Sequence, residues 1–151
     1  MDLEEEIFFE IYDSGDFIRL KPINYNNYNS EMDWDKNWIK TKVEIKAGNF
    51  VGEYIAEFMT VDFENFEKQF SKLYENLKGI AVFNDLESYL ELKIVGDGIG
   101  HFEVSVSACD KSGFKSSILK YILDFDQTDL QRMNIQLRKI INKFPIVGKL
   151  P

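Results

Sequence analysis

Two apolar stripes with the same spacing constrain this chain more than any other feature. Phe63, Phe66, Phe70, Leu73, Tyr74 and Leu77 form the first; Leu130, Met133, Leu137, Ile140, Ile141 and Phe144 form the second. Matching steps keep each set on one side of an α-helix, so the sequence predicts two amphipathic helices. Asp62 is placed to cap the first and Gly79 to stop it; Asp126 is placed to cap the second and Pro145 to end it. A one-sided helix must bury its apolar stripe against another layer.

That layer is legible as strands. Residues 7–12 and 17–21 flank an Asp13-Ser14-Gly15 turn, and residues 38–47 and 50–60 flank Gly48-Asn49. Residues 89–96 and 101–109 flank Asp97-Gly98, a strong hairpin signal, and residues 118–125 add another strand. In 50–60, Phe50, Gly52, Tyr54, Ala56 and Phe58 share one face, while the other carries Glu53 and Glu57. One dry face and one wetter face is antiparallel behaviour. The expectation is an α+β fold, with a mostly antiparallel sheet of about seven to eight strands and two helices, ordered strands-helix-strands-helix. Both halves follow the same logic, which allows an old duplication. Residues 1–151 read as a single domain with a long Asn-, Tyr- and Trp-rich loop near 22–37.

Composition narrows the function. The net charge of −8 and a pI near 4.7 repel phosphate backbones and favour a basic partner, so no nucleic-acid binding is expected. Acidity also maintains solubility. A lone Cys109 excludes an internal disulfide and zinc-cluster spacing. The acidic start and the lack of a membrane-length apolar run give the expectation of a cytoplasmic protein that meets no membrane.

The catalytic inventory is thin, and the expectation is a protein that is not an enzyme and uses no metal or cofactor. His101 and Cys109 fall at opposite ends of one strand, roughly 26 Å apart, too far for a nucleophile–base dyad. Gly96-Asp97-Gly98-Ile99-Gly100 resembles a phosphate loop but leads into a strand, which favours a hairpin turn. Asp33-Trp34-Asp35-Lys36-Asn37 copies part of a calcium loop, but Trp38 stands where that loop needs Gly. Asp124 and Asp126, about 6–7 Å apart on one strand face, could pair as catalytic or metal-binding carboxylates. The plainer reading makes Asp126 a cap and leaves Asp124 in water.

Several segments, in order, resemble the WapI family of bacterial immunity proteins. They are Asp33-Trp34-Asp35-Lys36-Asn37-Trp38; residues 43–58 with their Ala47-Gly48-Asn49-Phe50 turn; and Leu73-Tyr74-Glu75-Asn76-Leu77-Lys78-Gly79. Ala81-Val82-Phe83, Gly96-Asp97-Gly98-Ile99-Gly100-His101, Asp126-Gln127-Thr128 with Leu130, and Phe144-Pro145-Ile146-Val147-Gly148 follow. The resemblance implies a cytoplasmic antidote that binds and blocks a cognate toxin domain, with a basic nuclease-type toxin as the electrostatic match. No catalytic residue carries over with it. The partner-binding candidates are Tyr25, Tyr28, Glu31, Asp33, Trp34 and Asp35, where aromatic anchors lie beside adaptable polar groups. Trp38 reads as core. The alternatives are a small carboxylate- or metal-dependent enzyme and a general protein-interaction adaptor. The oligomeric state is open.

Overall fold

The computed structural model describes residues 6–26 and 29–148. Strands β1 (Phe9–Asp13), β2 (Asp16–Tyr25), β3 (Trp38–Ala47) and β4 (Phe50–Met59) form one antiparallel sheet in chain order. Helix α1 (Thr60–Asn76) follows. Strands β5 (Lys78–Asn84), β6 (Leu90–Asp97), β7 (His101–Cys109) and β8 (Ile118–Asp126) form a second sheet, also in chain order, and α2 (Leu130–Lys143) ends the fold. The α+β class and the strands-helix-strands-helix order are as expected. Each half is a four-stranded meander followed by a helix. No helix among the described residues is long and apolar enough to cross a membrane.

The alternation that predicted the strands decides their faces. In β6, Leu90, Leu92, Ile94 and Gly96 are buried, while Glu91, Lys93, Val95 and Asp97 are exposed. The inner faces of both sheets and the helix stripes share one apolar cluster. Phe58 on β4 lies 6.0 Å from Phe63 on α1 and 5.1 Å from Phe83 on β5, edge to face in both cases. Phe9 on β1 meets Phe66 on α1 at 5.5 Å. Such contacts add about 0.5–1.5 kcal/mol each beyond burial. The sheets are also pinned by polar contacts. The Tyr121 hydroxyl donates to the Phe17 carbonyl at 2.8 Å, and the Tyr54 hydroxyl to the Tyr89 carbonyl at 2.7 Å.

Four local readings are corrected. The strand β5 was not expected; its Lys78-Gly79 start reads as a helix stop. Asp62 does not occupy the N-cap of α1. Met59 does, and Asp62, three residues on, accepts the Met59 amide at 2.8 Å. Leu77, not Gly79, takes the left-handed backbone that ends α1, with φ 60°. β2 runs through Pro22 to Tyr25, so the loop begins at Asn26. Pro22 is tolerated because β1 begins at Phe9, opposite Leu20, and a bulge between Pro22 and Asn24 relaxes the pairing with β3. Asp126 does cap the turn before α2, accepting the Thr128 amide at 2.9 Å.

Candidate partner-binding surfaces

The loop after β2 is stapled down from beneath. Its base is closed by the Asn26 amide donating to the Trp38 carbonyl at 2.8 Å. Asn37, with no solvent exposure, holds its interior. The Asn37 Nδ2 donates to the carbonyls of Asp33 (2.7 Å) and Val147 (2.9 Å). The Asn37 Oδ1 accepts from the Val147 amide (2.7 Å) and the Thr60 hydroxyl (2.9 Å). One side chain thus joins the loop, the start of α1 and the segment after α2. The orientation is dictated by chemistry: the Val147 amide can only donate, so the oxygen must face it.

The sequence-predicted contact residues are placed as follows. Tyr25 ends β2; its hydroxyl donates to the Pro145 carbonyl at 2.5 Å and its ring meets Phe144 at 5.3 Å. Tyr28 lies outside the described residues. Glu31 is exposed beside Met32. The Asp33 carboxylate pairs with Lys36 at 3.3 Å and lies against Gly148, where an added Cβ would collide with it. Trp34 and Asp35 are half-buried at a 3-10 turn, Asp35–Asn37. Trp38, read as core, is half-buried at the start of β3, opposite Met59. Tyr25 and Asp33 therefore meet the segment after α2, and Glu31 is left as the exposed acidic side chain of the set.

Both sheets turn an uncovered face to solvent, and the two faces handle charge differently. On the first sheet, charges interleave. Arg19 bridges Glu10 at 2.5 Å and Glu44 at 2.7 Å. The facing pair Lys21 and Lys42 is bridged by Glu44, at 3.1 and 3.9 Å. The facing pair Glu44 and Glu53 is bridged by Lys42, at 3.9 and 3.0 Å. Partial burial opposes charge on Glu44, yet hydrogen bonds from Lys21 and Arg19 win and hold it below the usual carboxylate range.

On the second sheet, Glu91, Asp97, Glu103, Asp124 and Asp126 point outward with Lys78, Lys93 and Lys120. Among the described residues, none of these carboxylates pairs with a lysine or arginine. Glu103 and Asp124 face each other directly across β7 and β8, and among the described residues the basic side chain beside them is His101, whose ring nitrogen lies 3.4 Å from Asp124. Like charges in directly opposed positions are destabilising. Between the charges stand Ser105, Ser107 and exposed aliphatic groups at Ile80, Val95 and Ile122. Asp97 is held below the usual range by the Ile99 and His101 amides, and Asp126 by the Thr128 hydroxyl and amide. These are turn and cap duties.

The carboxylate pair considered for chemistry does not converge. Asp124 leans to His101, and Asp126 turns back onto Thr128. His101 and Cys109 sit at the two ends of β7, and the Gly-rich segment is the β6–β7 hairpin, with Gly96 opposite Phe102. The partial calcium spacing is used by the Asn37 staple and the Asp33–Lys36 pair.

Known structures share this architecture at low identity. WHY1 of Arabidopsis thaliana matches with a TM-score of 0.51 and 10% identity, covering 98% of this chain and 89% of that one. Trypanosoma brucei MRP1/MRP2 matches with a TM-score of 0.50 and 11% identity, covering 93% and 89%. At such identity the likeness shows the fold alone. No curated protein matches by sequence. The profile of the immunity protein WapI-like family matches residues 8–145.

Proposed function

Since the chain belongs to the immunity protein WapI-like family, we propose that it neutralises a basic, nuclease-type toxin domain by binding it and covering its working surface. One observation carries the electrostatic part of this reading. Aspartate and glutamate number 26 against 18 lysines and arginines, and among the described residues no charged side chain is fully buried. Among the described residues that acidity is therefore turned largely to the surroundings rather than spent inside the fold.

A displayed surplus acts at two ranges. Beyond contact, it steers a positively charged partner and can raise association rates from about 10⁵–10⁶ to about 10⁸–10⁹ M⁻¹s⁻¹ at low salt. At contact, each carboxylate that meets a guanidinium or ammonium replaces hydration by a charge-assisted hydrogen bond. An antidote has to reach its toxin before the toxin reaches its substrate, so a fast association step fits the role. Occlusion needs no nucleophile, metal or proton relay. The compartment for this action is the cytoplasm that the toxin would attack.

The test is protection. Cells expressing the toxin C-terminal domain encoded beside this gene should survive when this protein is co-expressed and die when it is not. Death in both cases, with both proteins soluble, refutes the proposal.

A further inference from the structure

We propose that the toxin-docking surface is the solvent face of the second sheet, β5 to β8, and that its occupant is a lysine- or arginine-rich protein surface. The inference rests on the immunity reading and adds the place and the chemistry of contact.

The first ground is the face's exposed apolar content. Neither helix covers it, and Ile80, Val95 and Ile122 are 53%, 41% and 55% exposed. They lie on adjoining rows of the register: Ile80 opposite Val95, and Ile122 opposite Ser105. At the far end of β8, Ile118 is 58% exposed, and Phe114 in the preceding loop is 91% exposed. Aliphatic groups clustered on a flat face with an aromatic at its margin suit a protein interface.

The second ground is the charge arrangement. The first sheet shows that this fold can neutralise a solvent face: the facing pairs Lys21–Lys42 and Glu44–Glu53 each have an opposite charge inserted between, and Asp13–Asp16 beside the β1–β2 turn is the facing pair without one. The second sheet has the same topology and leaves Glu103 opposite Asp124, with Asp126 two residues on. Asp13 adds a fourth carboxylate beside them, accepting the Asp124 amide at 3.0 Å. Solubility alone would be served by interleaving, as on the first sheet. Concentrated acid over an aliphatic floor is complementary to a basic protein surface, and it repels a second copy of itself. Asp13 also caps an amide on the free edge of β8, which turns the contact toward the face rather than toward strand addition.

The experiment is calorimetric titration of the full chain with the toxin domain encoded beside its gene, at 50 and 500 mM NaCl, for three proteins. Wild type is the reference, Glu103→Gln/Asp124→Asn removes the facing pair, and Glu31→Gln/Asp35→Asn tests the rival loop. The facing-pair variant should weaken binding about tenfold or more at low salt, with a smaller loss at high salt where screening is strong. Its melting temperature should stay level or rise, because repulsion is relieved, so weakened binding cannot come from unfolding. The loop variant should bind within about twofold of wild type. Unchanged binding by the facing-pair variant, with loss in the loop variant, overturns the assignment of the face and leaves the immunity reading standing. A homodimer of the free protein that the facing-pair variant abolishes overturns the choice of occupant. Absence of binding by wild type overturns the immunity reading itself.

Discussion

Replacing Asn37 by alanine removes the staple beneath the loop, and the cost can be worked from its partners. Asn37 is fully buried and makes four hydrogen bonds, to Asp33, Thr60 and both backbone groups of Val147. At about 1 kcal/mol net per bond the loss is about 4 kcal/mol. Part returns if the Val147 segment lifts off and its amide and carbonyl meet water, which leaves about 3 kcal/mol. Asn37→Asp keeps the shape and the accepting oxygen but turns a second oxygen toward the two carbonyls. Burial and those carbonyls raise the introduced carboxyl's folded pKa above its unfolded value. Its folded state is then favoured below the unfolded pKa, and that stability is lost as pH rises through the folded one. Urea unfolding measures both, with an unchanged slope for a local effect. A loss below about 1 kcal/mol for Asn37→Ala would refute the staple, as would a pH-independent penalty for Asn37→Asp.

Burial, opposed by the Met59 amide and reinforced by Asp85, pushes the Asp62 carboxyl up to about 6. Its contribution is therefore complete below about pH 4 and lost as pH rises through about 6; Asp62→Asn should add roughly 1–3 kcal/mol at pH 7 and flatten that part of the pH–stability curve. An added Cβ at Gly96 would lie 2.5 Å from the Leu77 carbonyl oxygen and 2.8 Å from the Phe102 ring, so Gly96→Ala should cost about 2–4 kcal/mol by chemical denaturation. Phe58→Ala opens the junction of both sheets and α1, and should cost about 3–5 kcal/mol, seen as a lower melting temperature.

Period carried most of the fold. The equal stripes fixed both helices, and alternation with turn signals located seven strands and gave the faces of two of them, although Phe50, placed on the inner face, is 68% exposed. What failed was punctuation. Gly79 stood in a place where glycine usually stops a helix, but Leu77 accepted left-handed backbone two residues earlier, with its amide bonded to Leu73. That hid β5, whose short run carries no alternation of charge. Pro22 marked a strand end by its own chemistry, yet β1 does not extend past Leu20 to need its amide, and β3 continues alongside through a bulge between Pro22 and Asn24. The loop's composition suggested contacts, but its Asp33 backbone is tied inward to Asn37, and only the long-range pairing of Asn37 with Val147 reveals that staple. The facing carboxylates were equally hidden, because Glu103 and Asp124 are 21 positions apart and become neighbours through the β7–β8 register.

The central claim is that neutralisation is stoichiometric occlusion by an acidic surface. The most direct measurement titrates the activity of the proposed cognate toxin domain with increasing amounts of this protein, at low and high salt. Occlusion gives a linear fall to zero at a fixed molar ratio, with an apparent affinity that weakens as salt rises. Inactivation of many toxin molecules by each protein molecule would contradict it, and so would an inhibition curve that ignores salt.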